Sequence, residues 1–450
     1  MIPLRDLGNW SGGNTPSKEN VAYWTDGRVP WVSPKDMKVD EITSSQDCIT
    51  EAALADRRVS LIPEGSVLFV TRSGILAHTF PVAITKLPVT INQDLKALTP
   101  KFGISAKYVA HAVRGASRRI LKQCSKHGTT VASVETNALL DFEIPVVDFD
   151  EQRRIVAEIE MQFSRLDEAL ANLQRVKANL KRYKAAVLKA AVEGRLVTTE
   201  AELARNGGRS YETGAQLLQR ILEARRSKWK GKGKYKEPGA PDTTGLPELP
   251  EGWVWASVYS LSTKVADGVH KKPNYLPAGI PFVTVKNMTA GAGISFADLN
   301  YVSEEDHVEF CRRTNPERGD ILISKDGTLG VVRVVDTDRP FSIFVSVSLV
   351  KPVTKELSDY LVVAFESPVL QRQMVPKGSG LQHIHLEDLR ADCVPLPPLA
   401  EQERIVAEVD RRLSIAREVE AEVEANLKRA QGLRQAILQT AFAAVPPERQ

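Results

Sequence analysis

A stretch of eight residues occurs twice in this chain and constrains the fold more than any other feature. Residues 151–158 read EQRRIVAE and residues 401–408 read EQERIVAE, so the two copies differ at a single position. Each copy opens a charged run in which apolar residues recur every three or four positions and proline is absent. That spacing predicts a long helix with one narrow apolar stripe. Because a globular domain alone cannot bury so long a stripe, each helix needs another helix beside it.

The two runs predict helices that span residues 146–196 and 396–446 and pair as an antiparallel coiled coil. A helix of about 44 residues is about 66 Å long. Glycine first interrupts the runs at Gly194 and Gly432, and Asp148 with Glu151 forms a candidate capping box where the first helix starts. The predicted core of the coiled coil consists of the striped apolar residues Ile155, Ile159, Phe163, Leu166, Leu170, Leu173 and Leu180 in the first helix and Ile405, Val409, Leu413, Val419, Val423, Leu427 and Ile437 in the second.

The repetition extends over most of the chain. The matching segments are VPWVSPKDM at 29–37 with IPFVTVKNM at 280–288, PEGSVLFVTRSG at 63–74 with ERGDILISKDGT at 317–328, and residues 128–145 with residues 378–395. Such segments are typical of short strands joined by long loops. We therefore predict an α/β (α+β) multidomain protein. Two mixed α/β domains, residues 1–145 and 247–395, alternate with the two long helices and are related by a pseudo-two-fold axis.

The segment between the first long helix and the second domain has a different character. Residues 197–246 contain a short amphipathic helix followed by a Gly-rich, basic stretch, which predicts a linker. From Arg225 to Lys236 there are seven positive charges and no negative charge. This run is either a solvated linker or a strap that contacts phosphates, and the sequence leaves both interpretations open.

Composition is that of an ordinary globular protein. Of 450 residues, 42% are hydrophobic and 26% are charged, and the formal net charge is only +4. A polyanion must therefore meet local basic patches. No apolar run is long enough to span a membrane and the first residues do not resemble a signal peptide, so we expect a cytoplasmic protein. The four cysteines form no CxxC pair and the seven histidines show no metal-ligand spacing, so we predict no metal site.

The sequence lacks the motifs that would indicate catalysis on DNA. It has no Asn-Pro-Pro-aromatic motif for adenine methylation, no GxxxxGK loop for ATP and no Gly-rich cofactor loop after a strand. Residues 94–96 read Asp-Leu-Lys, a lone fragment of a nuclease motif that chance would supply. These observations favour binding over catalysis.

The predicted architecture suits a ligand that repeats along a line. Helices of this length would hold two similar domains at most about 60–70 Å apart. Duplex DNA, with a rise of about 3.4 Å per base pair, is such a ligand. Since the domains share a frame and differ in their loops, each would recognise a different short sequence, and the whole chain would recognise a split, asymmetric site.

At this point the residues resemble a known family, the specificity subunit of type I restriction-modification enzymes. The likeness covers nearly the whole chain. It rests on prolines followed by EQRRIVAE or EQERIVAE at the head of a long helix, on the LPEGW opening of the second half, on the pairs Lys35-Asp36 and Lys286-Asn287, and on the Gly-Thr-Thr or Gly-Ser-Gly turn before each helix. Together these motifs are highly specific, whereas each alone would be weak.

The resemblance implies a non-catalytic recognition subunit. In that family, two target-recognition domains each bind one half of a bipartite DNA site, and the helical spacer sets the gap between the halves and docks two methyltransferase subunits. Restriction and translocase subunits are further implied partners, and S-adenosylmethionine, ATP and Mg²⁺ are expected on the partners, with no cofactor on this chain. One departure is that the first half begins at Met1 without an LPEGW-like lead, so we expect either a shortened first strand or a misassigned start.

Candidate DNA-binding residues lie in the loops of the two domains. Basic residues near shared motifs would contact phosphates, amides would contact bases, and the hydroxyls of the two glycine turns would bind a phosphate or cap a helix. His270 to Lys272 occupy the address where the first half has residues 14–18, as a specificity difference would require. The candidates are Thr15, Lys35, Asp36, Arg72, Ser73, Asn92, Gln93, Lys126, Thr129 and Thr130 in the first half and His270, Lys271, Lys272, Lys286, Asn287, Lys325, Lys377, Ser379, Gln382 and His383 in the second.

Two other classes of function compete with a DNA-recognition subunit. One is a self-contained DNA methylase or nuclease, and the other is a coiled-coil scaffold with no DNA role. A methylation assay on the chain alone would separate the enzyme from the recognition subunit. A duplex-binding assay would separate the scaffold, which should show no sequence preference.

Overall fold

The computed structural model describes residues 1–126, 131–231, 233–377 and 382–443. It divides into two compact units. The first unit comprises Met1–Arg175 and Val423–Gln450, and the second comprises Val176–Glu422. Each unit therefore contains one globular domain and a part of each long helix.

The first unit contains short strands and helices, followed by the first long helix. Its strands are β1 (Ile2–Pro3), β2 (Gly8–Gly12), β3 (Val29–Val32), β4 (Glu41–Ile42), β5 (Asp47–Ile49), β6 (Val67–Val70), β7 (Val82–Thr85), β8 (Thr90–Ile91), β9 (Leu95–Pro100) and β10 (Glu143–Ile144). Its helices are α1 (Glu51–Ala55), α2 (Ala106–Gly115), α3 (Ser117–Cys124), α4 (Thr136–Leu140) and α5 (Phe149–Val192), which continues into the second unit.

The sheets of the first unit have the strand orders β2-β9-β6-β7-β4, β5-β3-β8 and β1-β10. Strand β6 has the sequence VLFV and is buried at every position, as expected for a central strand covered on both faces. Pairs β6-β9 and β6-β7 are antiparallel, whereas β3-β8 is parallel. Strand β1 is two residues long and pairs antiparallel with β10.

The second unit repeats this plan with additional helices. Its strands are β11 (Val254–Ser257), β12 (Ser262–Asp267), β13 (Ile280–Val283), β14 (Asn300–Val302), β15 (Ile321–Ser324), β16 (Val332–Val334), β17 (Ser342–Ile343), β18 (Val347–Pro352) and β19 (Cys393–Leu396). Its helices are α6 (Glu200–Gly207), α7 (Gly214–Ser227), α8 (Val258–Leu261), α9 (Val285–Thr289), α10 (Glu304–Arg313), α11 (Ser358–Glu366), α12 (Pro368–Gln371), α13 (Leu386–Ala391) and α14 (Leu399–Ala443), which ends in the first unit.

Strand order in the second unit matches that in the first. Its sheets run β12-β18-β15-β16, β14-β13-β17 and β11-β19. The central pairs are again antiparallel, and β13-β17 is parallel, as β3-β8 is. Strand β4 adds an edge to the large sheet of the first unit. The internal sequence repeat thus corresponds to a repeated sheet topology.

Both long helices are continuous. Helix α5 has 44 residues and helix α14 has 45. The Asp148 carboxylate accepts the Glu151 N–H at 2.9 Å and thereby caps the start of α5. After α5, Gly194 adopts a φ of 66°, the left-handed conformation in which helices often end. The predicted starts and ends of the first helix therefore fall within a few residues of the observed ones.

Within each unit the two long helices contact each other. In the first unit, Ile155, Ile159 and Leu438 share a hydrophobic cluster, and Asp167 forms an ion pair with Arg434. In the second unit, the end of α5 and the start of α14 contribute to one core, and Lys184 forms an ion pair with Glu420.

Most of the predicted coiled-coil core residues are buried or half-buried. The buried ones are Ile155, Ile159, Leu166, Ile405, Val409 and Val423, and the half-buried ones are Phe163, Leu170, Leu173, Leu180, Leu413, Leu427 and Ile437.

The prediction for Val419 was wrong, because this side chain is 41% exposed. The buried residues Val409, Ala416, Val423 and Ala430 recur every seven positions, and Val419 lies off that stripe.

The segment predicted as a linker is folded in its first part. The apolar faces of α6 and α7 are buried, and Leu217 and Ile221 join the core of the second unit. Arg225, at the start of the basic run, is buried and donates from Nε to the Ser262 carbonyl oxygen at 2.9 Å. Among the described helices, none is both long and apolar enough to cross a membrane.

The repeated motif fastens each long helix to its own domain. In the first unit the buried Gln152 side chain accepts the Ser105 N–H at 2.9 Å and donates to the carbonyl oxygens of Gly103 (3.1 Å) and Val147 (2.8 Å). In the second unit Gln402 is also buried and donates to the Pro397 carbonyl oxygen at 2.9 Å. The shared glutamine of the motif is therefore a structural anchor.

A second anchor lies beside each of these glutamines. The Tyr108 hydroxyl donates to the Pro145 carbonyl oxygen at 3.0 Å, and the Tyr360 hydroxyl donates to the Pro395 carbonyl oxygen at 2.6 Å. Burial is the main cause that raises the pKa of Tyr108 to about 12, so its hydroxyl keeps the proton that it donates. In both units, the carbonyl oxygen of a proline before the long helix thus accepts a hydrogen bond from a buried tyrosine hydroxyl.

We expect Gln152→Ala to loosen the attachment of α5 to the first domain. The change removes the three hydrogen bonds and leaves the Ser105 N–H without its acceptor, at a cost of about 2–4 kcal/mol. Hydrogen exchange measured along α2 and the start of α5 should speed up accordingly. Gln162→Ala is the matched control, since among the described residues the Gln162 side chain bonds to Glu158 one turn away on the same helix, and it should leave exchange unchanged. Equal protection in both variants would contradict the anchor role.

Candidate DNA interface

Four loops of the first unit meet beyond the strand ends of the large sheet. We call them the first loop cluster, comprising residues 12–15, 71–73, 92–94 and the described part of 125–134. Backbone N–H groups link these loops through bonds from Asn14 to Ile91 (3.0 Å), Thr71 to Asp94 (2.8 Å), Val134 to Thr71 (2.8 Å) and Lys126 to Ser133 (2.9 Å). Strands that end together therefore deliver loops distant in sequence to one place.

The second unit has the same backbone frame. Its second loop cluster comprises residues 267–272, 325–327, 344–346 and the described part of 377–384. The corresponding bonds run from Val269 to Ile343 (3.1 Å), Lys325 to Ser346 (2.8 Å), Ile384 to Lys325 (3.0 Å) and Lys377 to His383 (3.0 Å). These bonds pair the loops position by position, so that Thr71 corresponds to Lys325 and Lys126 to Lys377.

One glycine in each cluster makes this frame possible. A Cβ atom on Gly13 would lie 2.0 Å from the Asn92 carbonyl oxygen, and one on Gly268 would lie 2.1 Å from the Ile343 carbonyl oxygen. Neither contact can be relieved by a side chain, because both oxygens belong to the backbone. Sequence patterns alone do not single out these glycines, although each lies just before the loop in which the first half has residues 14–18 and the second has His270 to Lys272.

The first unit exposes three of the predicted cationic side chains. Arg72 and Lys126 belong to the first loop cluster and Lys35 lies outside it, and all three are exposed, as the prediction for phosphate contacts requires. The Thr15 hydroxyl donates to the side-chain oxygen of Gln93, which joins two of the loops. The Ser73 hydroxyl instead caps a short helical turn, accepting the N–H two residues further on.

The second loop cluster presents different side chains. Its Lys377 forms an ion pair with Asp388, and Lys286, which is exposed and lies outside the cluster, pairs with Asp298. Gln382 is exposed, and the rings of His383 and His385 pack with centroids 4.4 Å apart. His270, Lys271 and Lys272 line a cavity of about 410 Å³.

Asp36 and Asn287 were predicted to contact DNA and instead brace a turn. The Asp36 carboxylate accepts the N–H and hydroxyl of Ser33 at 2.8 and 3.1 Å. Asn287 is 4% exposed, and its Oδ1 accepts the N–H and hydroxyl of Thr284, both at 3.0 Å. The shared motif therefore contains one exposed lysine and one structural residue, and we remove Asp36 and Asn287 from the candidates.

Two further candidates lie inside the fold. Asn92 is 5% exposed and its amide forms a turn with Asp94, with bonds of 3.1 Å in each direction. Lys325 is 8% exposed and donates from Nζ to Asp267 at 2.9 Å. Since neither side chain is available to bases or phosphates, both assignments were wrong. Thr129, Thr130 and Ser379 lie outside the described residues.

The structure adds two charged residues that sequence reasoning missed. Asp267, at the end of β12, is 3% exposed, and its carboxylate forms ion pairs with both Lys325 and Arg313. Arg313 ends helix α10 and lies against His270. No motif signals this group, because its members are far apart in sequence and meet only in the folded unit.

Among the described residues, no group of three or more His, Cys, Asp or Glu side chains is arranged to hold a metal ion. All four cysteines are free thiols.

A family model for the type I restriction modification DNA specificity domain matches residues 1–182 and 266–429. The chain belongs to this family. The matched ranges include the loop clusters of both units.

Known members of the type I specificity family support the assignment. The chain is 42% identical over 167 residues to the EcoR124I/EcoR124II specificity subunit of Escherichia coli, an alignment that covers 37% of this chain and 41% of that subunit. It is 22% identical over 456 residues to the EcoKI specificity subunit of Escherichia coli K12, covering 98% of this chain and 88% of that one. The first alignment thus spans less than half of that relative's length.

A solved chain from a type I R-M system has the same fold. It superposes with a TM-score of 0.67 at 19% identity and covers 99% of this chain and 97% of its own. That solved structure addresses complex assembly and conformational transition of the type I R-M system.

Proposed function

We propose that this chain is the sequence-specific DNA-binding subunit of a type I restriction-modification enzyme and recognises a bipartite, asymmetric site, one half with each loop cluster. The observation that carries this proposal is the shared backbone frame of the two clusters, on which different side chains are mounted. Because the backbone of duplex DNA has nearly the same shape at both half-sites, the same loop frame can dock on each of them. The different side chains on the two frames would then contact different base sequences.

The differences between the clusters are chemical as well as steric. Bridge partners place Arg72 opposite Ser133 in the first cluster and Asp326 opposite His383 in the second. Ser133 and His383 occupy the same position in the two frames, and a hydroxyl and an imidazole offer different hydrogen-bonding groups to a base. Such substitutions favour two different half-site sequences over one sequence read twice.

We further propose that α5 and α14 pair antiparallel as a coiled-coil spacer between the two recognition domains, with pseudo-two-fold symmetry. The support is local. In the first unit the start of α5 contacts the end of α14, and in the second unit Lys184 near the end of α5 pairs with Glu420 in the first half of α14. A spacer of this kind would fix the gap between the half-sites.

The partners in this proposal are double-stranded DNA, two methyltransferase (modification) subunits, and restriction and translocase subunits, all in the cytoplasm. The chain itself would be non-catalytic and would hold no cofactor. S-adenosylmethionine, ATP and Mg²⁺ would be bound by the partner subunits. The names of the relatives, which are specificity subunits of type I restriction enzymes, support this division of labour.

The phosphate-contact role of the first cluster is tested with Arg72→Ala in the assembled complex. Loss of one phosphate contact should weaken binding to every duplex by a similar factor, about 3- to 10-fold, and reduce the slope of log affinity against log salt by about 1. Arg118→Ala removes an exposed arginine of α3, outside the cluster, and serves as the control. An unchanged salt slope in Arg72→Ala would contradict the assignment.

Assays on the chain with and without the modification subunits separate the competing functions. Methyl transfer from S-adenosylmethionine by the chain alone would favour a self-contained methylase. Equal affinity for all duplexes, with and without the modification subunits, would favour a scaffold.

A further inference from the structure

The second loop cluster contains a buried carboxylate that holds two cations. Asp267 accepts Lys325 Nζ at 2.9 Å through Oδ2 and pairs with Arg313 through Oδ1. Burial alone would raise the pKa of Asp267, but the hydrogen bonds from Arg313 and Lys325 outweigh it and hold that pKa below its ordinary value. The carboxylate therefore stays ionised and keeps its partners in place.

Arg313 is oriented by this carboxylate on one edge of its guanidinium group. Its Nε donates to the Asp267 carbonyl oxygen at 3.0 Å, and Nη2 donates to the Asp267 carboxylate. On the second edge, formed by Nη1 and Nη2, Nη2 also meets His270 Nε2 at 3.0 Å, and His270 Nε2 in turn lies 3.3 Å from Asp267 Oδ1. Nη1 forms no hydrogen bond with the described residues. The side chain is 47% exposed, so this second edge can meet a ligand.

The cavity beside this edge has the properties of a base-contact site. It is lined by His270, Lys271 and Lys272 of the loop and by Asp306, Glu309, Phe310 and Arg313 of α10, so cations and carboxylates both line it. The His270 side chain is 63% exposed, and its departure from Asp267 and Arg313 would free a fork of parallel N–H groups on Nη1 and Nη2. Such a fork matches two adjacent acceptors, which guanine presents as O6 and N7 in the major groove.

We propose that Arg313, positioned by Asp267, recognises a guanine in the half-site bound by the second unit. The proposal rests on the DNA-recognition function proposed above. Arg313 is a specificity-determining residue in this account, and Asp267 is a positioning residue that touches no DNA.

The fixed direction of the Arg313 donors is what favours a base over a phosphate. Asp267 is shared by Arg313 and Lys325, so the three side chains keep a net positive charge, and the orientation of Nη1 and Nη2, rather than the charge, suits the two adjacent acceptors of guanine. Lys271 and Lys272, for which the described residues supply no carboxylate partner, are better placed to hold the phosphates. This division matches the usual one, in which backbone contacts position and base contacts specify.

The first unit has different chemistry at the same address. The strand registers place Gly12 opposite Lys96 where the second unit has Asp267 opposite Ser348. Without a carboxylate there, the first cluster cannot hold an arginine in this way. The guanine contact therefore belongs to one half-site only, as an asymmetric site requires.

The test uses the complete chain assembled with its modification subunits and a library of duplexes in which each half-site is randomised in turn. Arg313→Ala should reduce the preference for guanine at one position of one half-site by about 10-fold or more. Arg313→Lys keeps the charge but loses the fork, so it should reduce the preference similarly. Arg312→Ala removes an exposed neighbour of α10 and is the matched control, which should leave the preferences unchanged.

The outcomes separate the two levels of the proposal. Uniformly weaker binding with unchanged base preferences in Arg313→Ala would identify a phosphate contact and overturn the guanine assignment, and so would no change at all. Loss of preference at a base other than guanine would also overturn it. If the unaltered chain selects no split sequence in the same library, the proposed function fails, independently of Arg313.

Discussion

Inserting seven residues after Arg175 and seven after Glu422 is expected to widen the preferred gap between the half-sites by about three base pairs. These positions are where each long helix passes from one unit to the other. Seven residues lengthen a helix by about 10 Å, close to the rise of three base pairs at about 3.4 Å each. Because seven residues also preserve the spacing of the apolar stripe, the two helices keep the same faces toward each other.

Matched single insertions provide the control. Seven residues in α5 alone would shift one stripe along the other and separate Lys184 from Glu420, so we expect loss of activity or of stability rather than a wider gap. Mapping of methylated sites in cells that contain the complete system gives the gap directly. A double insertion that changes either half-sequence, or that leaves the gap as it was, would contradict the spacer proposal.

Gly13→Ala is expected to abolish recognition of one half-site while the other half-site remains. The new Cβ atom would lie 2.0 Å from the Asn92 carbonyl oxygen, so the loop that carries Thr15 must separate from the loop that carries Gln93. Forced overpacking of this kind costs about 1–3 kcal/mol or more, which is enough to open a surface loop. Hydrogen exchange across residues 12–15 and 92–94 should show the opening.

Gly12→Ala is the neighbouring control. There the added Cβ would meet the Lys96 Nζ atom at 2.8 Å, and the end of a lysine side chain can move away at little cost. We expect Gly12→Ala to keep both half-sites. If Gly13→Ala and Gly12→Ala behave alike, the backbone frame of the first loop cluster is not what positions its side chains on DNA.

Much of the fold could be predicted because its signals are local. The apolar spacing of the two runs, the capping residue Asp148 and the terminating Gly194 together indicate the first long helix within a few residues. Likewise, the repeated segments foretold a repeated sheet topology, since similar local patterns select similar strands. The first half of the predicted linker was harder to place, because the apolar residues Leu217 and Ile221 of α7 are buried only in the core of the second unit.

The candidate site was less predictable because it depends on contacts between distant residues. Asn92 and Asn287 have side chains that could read a base, but whether they face solvent is decided by turns that their own amides stabilise. Lys325 is removed from the surface by Asp267, which lies 58 positions away in sequence. For the same reason Arg313 could not be found, since only the fold brings it to Asp267 and His270.

The stripe of the second long helix illustrates a finer limit. Apolar residues at spacings of three and four admit either Val419 or Glu420 next to Ala416, and hydrophobicity alone selects Val419. In the structure Ala416 is buried and Val419 is exposed, while Glu420 forms an ion pair with Lys184. The partner helix therefore decides which of the two adjacent positions faces it.

The central claim, that two loop clusters each recognise one half of a split DNA site, is tested most directly by single-molecule mapping of methylated adenines in cells that contain this chain with its modification and restriction subunits. The account predicts two different short sequences separated by a fixed number of unspecified base pairs, and loss of this whole pattern when the chain is deleted. A single uninterrupted sequence, two identical half-sequences, or an unchanged methylation pattern after deletion would contradict it.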